Sequence, residues 1–253
     1  MGLFNTPYES HTHSKNTLDI LYGYDTFLDS LAVIADLGCG QGLDTEWWAT
    51  LTTRDDPPEA RNYLVYAVDK NISSINHNIK NLPNVHTFDD NIDGPHFHLP
   101  RLLDFVWCHD TFQYITDPIG TLKNWNNLMN VNGMLTLIFP QTQHYAYNRL
   151  QVHSYNNVYF NHNIVNLMYM LAVNGFDCND AYFYKEENSP WLHAAVYKSN
   201  IPPMDPSSTT WYNLAEMNLL NDSVIECLTK YGYVKQEEII TNWLDKDFYF
   251  SKE

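Results

Sequence analysis

Three of the chain's ten glycines, Gly38, Gly40 and Gly42, occupy alternate positions immediately after the apolar run Val33-Ile34-Ala35-Asp36-Leu37. Glycine allows positive φ and lacks the Cβ that would keep a ligand off the backbone, so this clustering marks a strand-to-helix turn built for close approach. A dinucleotide loop would space its glycines G-x-G-x-x-G to cradle a pyrophosphate. This loop is G-x-G-x-G with Asp36 two residues ahead, so its ligand need not carry phosphate. A second carboxylate, Asp69, ends the next apolar run, Tyr63 to Asp69, and His109 follows Cys108 at the end of another. Open α/β sheets bind ligands beyond such strand ends, and an imidazole there can exchange a proton near neutral pH.

The elements that would position these residues alternate along the chain. Asn16 to Leu31 has helical apolar spacing, Leu31 to Leu37 reads as a strand buried on both faces, and Leu43 to Leu51 reads as the following helix. After the breaker cluster Asp55-Asp56-Pro57-Pro58 come the strand ending at Asp69 and a helix over Ile72 to Leu82. Strands follow at Val85 to Phe88 and Leu102 to Cys108. A helix capped by Asp117-Pro118 and a strand at Met134 to Phe139 come next. Asn163 caps one more helix, and Cys178 to Tyr184 and Leu192 to Lys198 complete seven strands. The alternation predicts an α/β, doubly wound, mostly parallel seven-stranded sheet.

Asp36-Leu37-Gly38-Cys39-Gly40-Gln41-Gly42 resembles the first motif, D-x-G-C-G-x-G, of class I S-adenosylmethionine-dependent methyltransferases, in particular the type 11 group. Asp104 to Ile115 is similar to that group's D-x-V-x-x-x-x-x-L-x-H-I pattern, with Tyr114 in place of the usual His. Asn132-Gly133-Met134-Leu135 stands where P-G-G-x-L is common. The resemblance spans Leu31 to Lys198 and implies a Rossmann-like fold with S-adenosylmethionine as cofactor and S-adenosylhomocysteine as product. It implies that the loop lies beside the methionine moiety, that Asp69 accepts from both ribose hydroxyls, and that an acid after the third strand, Asp90, accepts from the adenine amino group. The implied contact set is Asp36, Gly38, Cys39, Gly40, Gly42, Asp69, Lys70, Asp90, Asn91 and Cys108. A carboxylate can accept from two adjacent hydroxyls, and negative potential favours a sulfonium.

Methyl transfer needs an aligned nucleophile and, for some acceptors, removal of a proton. His109 is the first candidate base, with a hydrogen-bonding wall residue as its alternative. Gln141 to Asn161, dense in His, Tyr and Asn, reads as an insertion over the site. It supplies His144 as a second candidate base and Tyr145, His153 and Tyr155 as substrate contacts. His11-x-His13 and His96-x-His98 lack the partner spacing of a metal site, and four scattered cysteines suggest neither zinc nor a disulfide framework, so no metal is expected.

The length suits one domain over residues 1–200, with the insertion at 141–161. A helical extension over 201–253, too short to bury its own core, would pack on that domain or on a second subunit, giving a homodimer. A formal net charge of −16 argues against broad contact with a nucleic-acid backbone. No signal-peptide pattern or membrane-spanning apolar run occurs, so a cytoplasmic, membrane-free enzyme is expected. The expected function is transfer of a methyl group to oxygen or nitrogen of a small molecule. The alternatives are modification of RNA or another macromolecule, and non-catalytic cofactor binding.

Overall fold

The computed structural model describes residues 33–51, 62–140, 162–185 and 191–239. Seven strands form one sheet in the order β3-β2-β1-β4-β5-β7-β6. They are β1 (Val33–Leu37), β2 (Leu64–Asp69), β3 (Val85–Asp89), β4 (Leu103–His109), β5 (Met129–Pro140), β6 (Phe176–Lys185) and β7 (Trp191–Lys198). The pairings from β3 through β5 are parallel, and β7 runs antiparallel to both β5 and β6. The mostly parallel seven-stranded sheet is therefore as expected. The order reverses between β1 and β4, so the carboxyl ends of β1, β2 and β4 open onto a common crevice.

Strand alternation divides the apolar residues between two cores. Ile34, Val65, Phe105 and Trp107 face one side, with Trp48 of α1 (Leu43–Thr50) among them. Val33, Ala35, Leu37, Val106 and Cys108 face the other. The second side also holds Leu122 and Trp125 of α3 (Pro118–Leu128) and Leu167 and Leu171 of α4 (Ile164–Val173). Burial on both faces explains why β1, β2 and β4 read as continuous apolar runs and not as alternating ones. Asp117 caps α3 by accepting from the Gly120 N–H at 2.9 Å, and Pro118 occupies the first turn, where its missing N–H costs nothing.

Two elements differ from the sequence reading. In place of a continuous helix over Ile72 to Leu82, a single 3-10 turn (Ile72–Ser74) precedes the one-turn helix α2 (His77–Lys80). Ile72, Ile75 and Ile79 are buried as their spacing suggested, but Ile75 is extended and Asn76 starts a new cap by accepting from the Asn78 N–H at 2.9 Å. Such side-chain bonds compete with helix propagation. In β5, Asn132 and Gly133 lie inside the strand and not before it. Asn132 is left-handed at φ 65, and the register against β4 slips between Leu103 and Phe105. A Cβ on Gly133 would lie 2.9 Å from the Asn130 carbonyl oxygen.

The described residues after Lys198, up to Ile239, contribute to the main core. Helices α5 (Trp211–Glu216) and α6 (Asp222–Tyr231) contribute Leu214, Val224 and Leu228 to the cluster that holds Phe176 and Leu171. The Cys178 N–H donates to the Leu219 carbonyl at 3.0 Å, and the Tyr169 hydroxyl to the Thr209 carbonyl at 2.7 Å. The expected helix over Asn16 to Leu31 and the insertion at 141–161 lie outside the described residues. Among the described residues no helix is long and apolar enough to cross a membrane.

Candidate functional site

The loop after β1 is held from below and from the side. The Gly38 and Cys39 N–H groups both donate to the Val68 carbonyl, at 2.8 and 3.1 Å, binding the turn to the end of β2. All three loop glycines have positive φ. A Cβ on Gly38 would overlap the Thr111 side chain, so that glycine serves packing against the segment after β4. Gly40 differs: its φ is +52, and a Cβ there would meet nothing within 4 Å among the described residues. Its peptide is fixed all the same, because the N–H donates to Asp69 Oδ2 at 3.0 Å and the carbonyl accepts from the Ser74 hydroxyl at 3.0 Å. The result is a rigid backbone facing open space, a shape suited to a ligand lying against it.

Two carboxylates flank that space in different states. Asp69 accepts from the Gly40 N–H and, through Oδ1, from the Asn71 N–H at 2.8 Å. A carboxylate has about four acceptor positions, so further hydroxyl donors can be accommodated. Asp36 is 2% exposed and accepts from the Thr45 hydroxyl at 2.5 Å. Burial, reinforced by the charges of Asp44 and Asp69, pushes its carboxyl up to about 8, which keeps it protonated at neutral pH. Burial also pushes the Cys39 and Cys108 thiols above their ordinary range, so neither is a thiolate nucleophile.

At the end of β4, His109 Nδ1 lies 3.0 Å from Asp44 Oδ2, and the indole N–H of Trp107 donates to the same oxygen at 3.0 Å. Residues 107 and 109 share a strand face, and Asp44 lies in the first turn of α1, which packs on that face. The Trp191 ring of β7 is centred 5.4 Å from the imidazole. Asp110, next in the chain, is left-handed at φ 50 and accepts from Gln113 Nε2 at 2.7 Å, and burial raises its carboxyl. The other amide atom of the fully buried Gln113, Oε1, has no hydrogen-bond partner.

Asp36, Gly38 to Gly42, Asp69 and His109 therefore gather at the carboxyl ends of β1, β2 and β4. Lys70, Asp90 and Asn91 are exposed. Asp90 and Asn91 follow Asp89, which is in register with Asp69 on the neighbouring strand, and Asp90 accepts from the Asn91 N–H at 2.8 Å. The Cys108 side chain is wholly buried in the core opposite Trp107 and His109. The adjacent residue on a strand must face the other side, so any contribution of Cys108 to a ligand would come from its backbone. His144, Tyr145, His153 and Tyr155 lie outside the described residues. Asp44 was missed by the sequence reading. Its only sequence signal is an acid two residues after the last loop glycine, where a helix N-terminus favours negative charge.

No family model matches the sequence, and no curated protein matches it. Solved structures do match. NodS, an N-methyltransferase from Bradyrhizobium japonicum WM9, superposes with a TM-score of 0.52 at 14% identity, over 78% of this chain and 99% of that one. Magnesium protoporphyrin IX methyltransferase (ChlM) from Synechocystis PCC 6803, with bound SAH, gives 0.56 at 16% identity over 75% and 84%. The CurJ carbon methyltransferase gives 0.52 at 14% identity over 67% of this chain, which spans about half (49%) of that protein's chain. The chain thus has the Rossmann-like fold of class I methyltransferases.

Proposed function

We propose that this chain is an S-adenosylmethionine-dependent methyltransferase that modifies an oxygen or nitrogen of a small-molecule acceptor. The observation that carries this reading is Gly40, whose fixed, Cβ-less backbone is uncovered by any described residue beside Asp69. That cradle fits a cofactor with a vicinal diol and a cationic centre. Its diol finds the spare acceptor positions of Asp69, and its charge finds the potential of the same carboxylate. The cofactor supplies an electrophilic methyl group on a sulfonium.

Every other contribution is the chain's own. The Gly38 to Gly42 loop supports the methionine moiety, and Asp69 orients the ribose. Asp90 and Asn91, one strand further out, meet the adenine. Asp36, kept neutral, supports the loop without adding a third charge. His109, the last residue of β4, removes the acceptor's proton. The net charge of −16 favours a small acceptor over a nucleic acid.

The test is transfer of labelled methyl from S-adenosylmethionine into fractionated small-metabolite pools, with a total RNA fraction alongside, read by mass spectrometry. A one-methyl mass gain in a small-molecule pool, together with S-adenosylhomocysteine release, is expected. Label in RNA alone, or cofactor binding without label in any pool, would overturn the proposal.

A further inference from the structure

Resting on that methyltransferase reading, we infer that Asp44 is a positioning residue that holds His109 with its proton on Nδ1, so that Nε2 is the atom that takes the acceptor's proton.

The geometry requires this arrangement once the charge on Asp44 is settled. The indole N–H of Trp107 can only donate, so Asp44 Oδ2 is an acceptor in that 3.0 Å contact. His109 Nδ1 approaches the same oxygen at 3.0 Å. Asp44 sits in the first turn of α1, where the helix dipole favours an anion, and it accepts the Trp107 indole N–H. Asp36, the competing carboxyl across the loop, lies in an apolar interior, accepts from the Thr45 hydroxyl and backbone, and is pushed up to about 8. With Asp36 neutral, the helix N-terminus and the indole N–H favour the ionised form of Asp44. An ionised Oδ2 has no proton to give, so Nδ1 is the donor and the neutral imidazole has its lone pair on Nε2. The Trp191 ring, centred 5.4 Å away and tilted by 44°, and the Trp107 ring at 6.4 Å confine the imidazole plane.

The chemistry balances. As the acceptor's lone pair bonds to the methyl carbon, the carbon–sulfur pair returns to sulfur and the acceptor's O–H or N–H proton passes to Nε2. Asp44 stabilises the resulting imidazolium until the proton leaves to water. Asp44 acts on the proton transfer through His109.

Two measurements test this. Long-range proton–nitrogen spectra of the histidine side chains, with His109 assigned by its loss in His109→Gln, read the tautomer at a pH where the ring is neutral. Nδ1–H is expected in the native protein and a shift toward Nε2–H in Asp44→Ala. A native ring protonated on Nε2 overturns the inference without need of any variant. Calorimetry with S-adenosylmethionine keeps the two readings apart. If the cofactor fails to bind while the Nδ1–H tautomer is found, the methyltransferase reading falls and the Asp44–His109 arrangement stands. If the cofactor binds and the tautomer is wrong, this inference alone falls. For turnover of an acceptor found in the label screen, Asp44→Asn should lower kcat about 100-fold with KM for the cofactor unchanged. The double variant Asp44→Asn, His109→Ala should be no slower than His109→Ala by itself, because the carboxylate acts on turnover by holding the imidazole. Additive losses would assign Asp44 a purely structural role and overturn the inference.

Discussion

The Asp69 carboxylate accepts a hydrogen bond from the Gly40 N–H at 3.0 Å, joining the end of β2 to the loop that follows β1. One residue thus shapes the cradle and faces it. Asp69→Ala should lose charged hydrogen bonding to the ligand together with one restraint on the loop. Charge-assisted bonds contribute about 1.5 to 3 kcal/mol each, so affinity for S-adenosylmethionine should fall at least roughly tenfold. Calorimetric titration of the variant checks this, and an unchanged Kd would remove Asp69 from the cofactor site.

The loop glycines should separate folding from binding. Gly38→Ala combines a left-handed backbone, worth about 1 to 2 kcal/mol, with overlap on Thr111, so its melting temperature should drop well below that of Gly40→Ala. Gly40→Ala pays only the backbone cost, since its Cβ enters open space, but it should weaken cofactor binding by intruding on the cradle. Thermal melts and titrations of the two variants side by side check the contrast.

Asp36 should make stability depend on pH. Its carboxyl titrates near 3.8 in an unfolded chain and at about 8 in the fold. The raised value means that the native state holds the proton more tightly. The stabilisation is complete below about pH 4 and is lost as pH rises through about 8. Asp36→Asn stays neutral throughout, so urea unfolding should show it losing less stability than the native chain between those limits. Parallel pH profiles would contradict the assignment.

Much of this architecture is legible in the residues because it is local. The apolar runs of β1, β2 and β4 sit in a sheet covered on both faces, and the glycine cluster and Asp69 declare themselves within a few positions of their strand ends. The failures have physical causes. Ile72, Ile75 and Ile79 have helical spacing, yet the Asn76 side chain stops one turn and starts another, a competition that spacing does not reveal. The antiparallel direction of β7 depends on which edge the chain returns to, which apolar patterning does not encode. Asp44 and His109 are 65 residues apart and meet only because α1 packs across the face of β4, so their pairing is invisible until the sheet is assembled. Cys108 beside His109 turns its thiol to the opposite face of the strand, a consequence of strand alternation.

The central claim is that the open space over Gly40 takes S-adenosylmethionine, and isothermal titration of that cofactor into the folded protein tests it most directly. Saturable binding at one site per chain, competed by S-adenosylhomocysteine, is the predicted result. No heat of binding from protein shown to be folded by its melting transition would contradict it.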